Sequence, residues 1–171
     1  RDTDFMQNHI DYVKGEKYNF IAVVNSANAY LKEAWMGTNS SGFALMNTQS
    51  YNLVDVKGDE ERGAANGRVI YRALEVCATV EDFCHFLDTI SKPSDIEANF
   101  GVIDAQGGAA MFEVDYHKYV MYDANNPKDA PYGYIARTNF SFAGKVNEGA
   151  GYVRYMEADQ VLMKASATGS I

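Results

Sequence analysis

Three histidines, two cysteines and a scatter of asparagines and arginines are the residues of this 171-residue chain whose types could do chemistry. His9, His85 and His117 lie far apart, none four residues from another and none beside a plausible nucleophile. Their spacing supports neither a zinc site nor a serine–histidine–aspartate relay. Cys77 and Cys84 are too few for a thiolate-rich metal site or a disulfide scaffold. Cys84 recurs with Val80, Phe83, Leu87 and Ile90 at helical spacing, so it reads as a core thiol and not as a nucleophile. Gly107-Gly108 lacks both the spacing and the following helix of a phosphate cradle and reads as a turn. The acidic stretch holding Asp55, Asp59, Glu60 and Glu61 fits no calcium loop and reads as a solvated segment.

Five further residues have bland readings when taken singly. Arg1 and Asp4 make a surface pair. Asn66, just ahead of a helical pattern, is a good N-cap, and Asn139 is a turn asparagine ending a strand. Arg154 is a helix-surface arginine.

The elements that must position these residues follow from periodicity. A short β-branched run from Tyr18 to Val24 predicts a strand, and the runs 34–37 and 43–46, separated by a polar turn with Gly42, predict a hairpin. Residues 51–63 read as a charged loop. From Asn66 the pattern is helical, with Val69, Ile70, Ala73, Leu74 and Cys77 on one side. Thr79 with Asp82 signals the start of a second helix. Three antiparallel strands are expected at 100–104, 110–114 and 119–122, another at 132–137, and a last helix at about 151–165. Strands, two helices, strands and a helix, without alternating βαβ units, predict an α+β domain of antiparallel sheet covered by helices.

Composition narrows the function classes. With 23 acidic and 15 basic residues the formal net charge is -8, which makes a nucleic-acid backbone or an anionic membrane surface a poor partner. No apolar run approaches the roughly 18 to 20 residues of a membrane span. The two cysteines leave the redox compartment open. The chain opens on Arg1 and not Met, so a processed, trimmed or fragmentary chain is expected.

Six segments, in order, carry a resemblance: Arg1-Asp-Thr-Asp4, Gly42-Phe-Ala-Leu-Met-Asn-Thr48, the run from Asn66-Gly-Arg-Val-Ile-Tyr to Val80-Glu-Asp82, Asn99-Phe-Gly-Val-Ile-Asp104, Arg137-Thr-Asn-Phe140 and Gly151-Tyr-Val-Arg-Tyr155. Together they resemble the choloylglycine hydrolase and penicillin V acylase family and its relatives, the acyl-coenzyme A:6-aminopenicillanic acid acyltransferases. These are N-terminal nucleophile hydrolases. The resemblance implies a four-layer αββα sandwich and a single domain over residues 1–171, with further sequence at one or both ends.

In that family the nucleophile is a cysteine exposed at the N-terminus by removal of what precedes it. Its own α-amine, with a pKa of roughly 8, serves as base. Neither Cys77 nor Cys84 can become N-terminal without loss of the strands before it, so the nucleophile is expected upstream of Arg1 and this chain alone is expected to be inactive. The resemblance places a thiolate-stabilising guanidinium on Arg1 and the carboxylate that holds the α-amino group on Asp4. It places an oxyanion-binding side-chain amide on Asn139, a second and less secure one on Asn66, and an active-site arginine on Arg154.

The function so implied is hydrolysis of a linear carbon–nitrogen amide bond through a thioester acyl-enzyme, with no metal or organic cofactor. The partner is a small-molecule amide: an N-acyl amino acid, a conjugated bile acid, a penicillin or a peptide-like amide. Phe5, Tyr12, Trp35, Tyr51, Phe140 and Phe142 are candidates to line an acyl pocket. Two other readings are a non-catalytic binding domain on the same fold and an assembly subunit whose tyrosine-rich strands form a homo-oligomer interface. Localisation is open, because relatives include cytoplasmic and exported proteins.

Overall fold

A computed structural model describes residues 8–25, 32–53, 63–145 and 149–170. The order of elements is β1 (Asn8–Val13), β2 (Phe20–Asn25), β3 (Ala34–Asn39), β4 (Ala44–Gln49), α1 (Asn66–Val76), α2 (Val80–Thr89), β5 (Ala98–Ile103), β6 (Ala109–Val114), β7 (Tyr119–Asp123) and α3 (Gly149–Ala167). The strands make a seven-stranded sheet in which spatial order follows chain order, β1 to β7. Antiparallel registers run through β1–β2, β2–β3, β3–β4 and β6–β7. The α+β, antiparallel class expected from the order of elements is the one observed. By density of contacts the chain divides into two units, 1–47 with 65–90 and 102–108, and 48–64 with 91–101 and 109–171.

The first unit is built on strand alternation. Phe20, Ala22 and Val24 are buried while Ile21 between them is exposed, the period-2 pattern of a sheet with one covered face. The stripe of α1 supplies the cover: Val69, Ile70, Ala73 and Leu74 are all buried. Gly37 of β3 permits this approach, since a Cβ there would stand 2.7 Å from Leu74 Cδ1 and 2.6 Å from the Ile21 carbonyl oxygen. Asn39, at the end of β3, ties the hairpin to the helix end. Its Nδ2 donates to the carbonyls of Leu74 (3.0 Å) and Cys77 (2.7 Å), satisfying acceptors that a helix terminus leaves open. Its Oδ1 accepts from the backbone N–H of Ser41 and Phe43. Gly42 turns the chain at φ +86°, as the hairpin requires.

Helix α2 opens on the expected signal, a capping box in which Thr79 accepts from the Asp82 N–H and Asp82 reaches back to the Thr79 N–H. Asp104, which accepts from Val80 N–H at 2.9 Å, secures the same turn. Two expectations in this unit are corrected. Asn66 is not the N-cap of α1: Ala65 is, without a side-chain cap bond, and Asn66 is the first helical residue, 3% exposed. Cys84 is half-buried, not enclosed in the core, because Phe83 and Leu87 take the centre of the buried stripe of α2. Cys77 is buried, and that burial, reinforced by the charge of Asp82, pushes its thiol up to about 12.

The second unit holds the β6–β7 hairpin, α3 and a long irregular segment between them. The strand expected over 132–137 does not form. Gly133 sits at φ +80° directly after Pro131 and Tyr132, which breaks an extended ladder. Side chains hold this stretch in place of a ladder: the Tyr134 hydroxyl donates to Asp159 Oδ1 of α3 at 2.7 Å, and Arg137 pairs with Glu113 of β6. The acidic residues Asp55, Asp59, Glu60 and Glu61 lie outside the described residues.

Candidate active site

The segment 137–143 makes few ladder bonds, so its polar backbone atoms must find partners elsewhere. Side chains from β4, β5, β6 and the stretch after β4 provide them. The Thr138 carbonyl accepts from Thr48 Oγ1 (2.7 Å) and Asn99 Nδ2 (2.9 Å), and the Phe140 carbonyl accepts from the same Asn99 amide at 3.0 Å. Asn52 bonds both the N–H (3.0 Å) and the carbonyl (2.8 Å) of Ser141. The Ser141 hydroxyl donates to Asn99 Oδ1 at 2.5 Å. Asn99 and Ser141 are almost fully buried.

Asn139 is the third residue of this segment, with its amide held at both ends. Nδ2 donates to the Gln49 carbonyl at 2.7 Å, and Oδ1 accepts from Arg154 Nη2 at 2.7 Å. A cation fixes the oxygen end and a carbonyl fixes the nitrogen end, so the orientation of the amide is set by its partners and not by choice of flip. The bond to Gln49 uses one of two Nδ2 protons. Among the described residues the other has no acceptor. Helix α3 brings Arg154 here because Gly151, buried at its first turn, lies against the Asn139 backbone: a Cβ on it would be 2.4 Å from the Asn139 carbonyl oxygen. The Gly151 carbonyl accepts from Thr138 Oγ1 at 2.7 Å.

Behind the segment, Arg137 and Glu113 form an ion pair at 2.6 Å with side chains 2% and 0% exposed. Beside it lies an aromatic group in which Phe140 meets Tyr152 at 5.0 Å and Phe142 meets Tyr155 at 5.0 Å, both edge-on. Burial, with the charge of Asp159 behind it, raises the Tyr155 phenol above its ordinary range.

The sequence profile of the acyl-coenzyme A:6-aminopenicillanic acid acyl-transferase family matches residues 3–157. The chain belongs to this family. Among solved structures, this acyl-transferase family member is similar to penicillin V acylase from Agrobacterium tumefaciens, at 20% identity and a TM-score of 0.40 over 66% of this chain and 38% of that one. It is also similar to a mutant of conjugated bile acid hydrolase from Clostridium perfringens, at 15% identity and a TM-score of 0.44 over 71% of this chain and 42% of that one. A variant of the same hydrolase matches at 11% identity and a TM-score of 0.49 over 93% and 63%. The chain thus spans less than two thirds of the length of each. A search of curated proteins gave no match.

Of the five residues singled out in the sequence of this family member, the structure brings together Asn139 and Arg154. Asn66 lies in the first unit, at the start of α1. Arg1 and Asp4 lie outside the described residues, as does Phe5. Of the aromatic candidates for an acyl pocket, Tyr12 and Tyr51 are exposed, Trp35 is half-buried, and Phe140 is buried within the aromatic group beside Asn139. Asn47 and Thr48 lie within β4, and Thr48 supplies its hydroxyl to the Thr138 carbonyl. Asn99, Glu113 and Asn52 were not singled out. For the first two a signal exists, an amide and a carboxylate inside otherwise apolar strands. Among the described residues no cluster of His, Cys, Asp or Glu could hold a metal ion, and no helix is long and apolar enough to cross a membrane.

Proposed function

We propose that the protein cleaves a linear carbon–nitrogen amide bond in a small molecule through a thioester acyl-enzyme, with Asn139 as a donor to the oxyanion. The thiolate of an N-terminal cysteine attacks the carbonyl carbon, and the C=O pair moves onto oxygen. Collapse of that intermediate breaks the C–N bond, and the amine leaves with a proton from the α-ammonium group. Water then attacks the thioester, releasing the acid and the thiol. Cys77 does not serve as this nucleophile, since its thiol is buried and protonated near neutrality. Arg1 and Asp4 are proposed to stabilise the thiolate and hold the α-amine, and Asn66 to donate to an oxyanion, as their family counterparts imply.

The observation that carries this reading is the clamp on Asn139, from the Gln49 carbonyl on one side and Arg154 on the other. A donor oriented before the reaction stabilises charge that develops only at the transition state and costs no reorganisation. The family match supports acyl transfer as the reaction class. The test uses protein expressed from its complete reading frame, its mature N-terminus sequenced, and a panel of N-acyl amides that includes penicillin V and glycine-conjugated bile acids. Asn139→Ala should lower kcat by about 100- to 1,000-fold with little change in KM. A mature chain without an N-terminal Cys, or an Asn139→Ala variant with undiminished kcat, would overturn the proposal.

A further inference from the structure

Glu113 is fully buried in β6, where Tyr122 of β7 also bonds it, and three donors of the segment that carries Asn139 converge on its carboxylate. Oε1 accepts from Arg137 Nε at 2.6 Å and from the Phe142 N–H at 2.9 Å, and Oε2 accepts from the Ala143 N–H at 2.7 Å. Arg137 precedes Asn139 by two residues, and Phe142 and Ala143 follow it by three and four. One carboxylate therefore closes both ends of a short loop that contains Asn139. Arg137 is itself fixed: Nη1 donates to the Ala136 carbonyl at 2.8 Å, and the guanidinium packs 4.0 Å from the Phe142 ring and 4.5 Å from the Tyr122 ring.

We propose that Glu113 is a positioning residue that sets the place of the Asn139 amide through Arg137 and the Phe142 and Ala143 amides; this rests on the oxyanion role given to Asn139 above. Stability alone is a poor account of the pair. A buried ion pair contributes little over apolar residues of the same volume, because desolvation offsets its Coulomb attraction. What this pair supplies is directional: three donors from two ends of one loop converge on two oxygens. Glutamine cannot reproduce it. Its single carbonyl oxygen, set where Oε1 stands, keeps Arg137 and the Phe142 N–H but leaves its NH2 group pointed at the Ala143 N–H; turned the other way, it keeps Ala143 and loses the other two.

The experiment is a double-mutant cycle between Glu113→Gln and Asn139→Ala in the full-length enzyme, on whichever amide of the panel is turned over fastest. Glu113→Gln alone should lower kcat by roughly 10- to 100-fold with KM nearly unchanged, the size expected for a misplacement near 1 Å. In the Asn139→Ala background the same change should cost less than about threefold, because independent sites would add. Full multiplication of the two effects, or unchanged kcat in Glu113→Gln, would overturn the positioning role while leaving the oxyanion role standing. An inert Asn139→Ala would instead sink the oxyanion role on its own.

Should Glu113→Gln fail to fold, Arg137→Lys tests the same link, since it keeps the charge and loses the planar fork. A readout free of turnover accompanies both variants, hydrogen exchange at the Asn139 side-chain amide and the Phe142 and Ala143 N–H groups. Exchange should quicken at all three sites, and unchanged protection of the Asn139 amide would refute the coupling even where no amide is turned over.

Discussion

Asn99→Ala is the perturbation that most directly tests whether side chains, and not a strand ladder, hold the Asn139 segment. The wild-type side chain is 1% exposed and makes three hydrogen bonds, to the carbonyls of Thr138 and Phe140 and from the Ser141 hydroxyl. Each is worth about 1 kcal/mol net, so their loss alone costs about 3 kcal/mol. The Thr138 carbonyl keeps Thr48 as a partner at 2.7 Å, but the Phe140 carbonyl, in a residue 2% exposed, is left in an apolar setting. An orphaned buried acceptor carries a penalty of its own, which sets the expected total at about 3 to 5 kcal/mol. That is a large share of the roughly 5 to 15 kcal/mol by which domains are stable.

In urea, at a slope of about 2 kcal/mol per molar, the midpoint should fall by about 1.5 to 2.5 M. Far-UV circular dichroism follows the whole chain, while fluorescence of Trp35, the single tryptophan, reports on the first unit. Asn99→Asp separates hydrogen bonding from volume. It fills the same space but sets a carboxylate oxygen against two carbonyl oxygens, and should cost at least as much as alanine. A loss below about 1 kcal/mol for alanine, or an aspartate variant milder than alanine, would refute the reasoning.

Gly151→Ala should lower stability by about 1 to 3 kcal/mol although alanine is the better helix former, because the new Cβ would meet the Asn139 backbone at 2.4 Å. A variant with a raised melting temperature and unaltered kcat would contradict that packing. At high pH, desolvation and the hydrogen bond to Asp159 push the Tyr134 phenol up to about 12. The folded chain keeps this proton where the unfolded chain has released it from about pH 10, so the associated stability is intact below pH 10 and lost as pH rises toward 12. Spectrophotometric titration of phenolate should show the last-titrating tyrosine disappear in Tyr134→Phe, and an unchanged titration curve would count against the assignment.

What the sequence made legible was local. The short β-branched run from Tyr18 to Val24 marks β2, the spacing of Val69, Ile70, Ala73 and Leu74 marks the covered side of α1, and Thr79 with Asp82 marks the start of α2, because each signal is local in the chain. The order of six short segments reached the family. The strand expected at 132–137 failed for the converse reason: its aromatic alternation is real, but Gly133 and the distant partners Asp159 and Glu113 decide its path. Asn66 reads as a cap by residue type, yet the chain enters α1 one residue earlier, at Ala65, which makes no side-chain cap bond. Asn139 and Arg154 were found through resemblance. Their supports join residues such as Thr48 and Thr138, 90 positions apart, which no periodicity relates.

These long-range bonds bear on why the proposed oxyanion donor should stand on irregular backbone at all. A ladder strand spends its amides on its neighbours and spaces its side chains by a fixed pleat, so its geometry is set by the sheet and not by the site. The 137–143 segment is released from that constraint, and Asn99, Asn52, Thr48 and Glu113 bond its polar atoms one by one from neighbouring strands and the stretch after β4. Each bond removes an alternative conformation, since moving the loop would leave buried donors and acceptors unpaired. The apolar core of the unit could tolerate repacking, but this network tolerates little, and that difference is what a preoriented amide requires. It follows that changes in the network, Asn99 included, should lower kcat as well as stability, while changes in the apolar core of the same unit should lower stability with kcat little altered. Proportional losses at both kinds of position would show that the network holds the fold and nothing more.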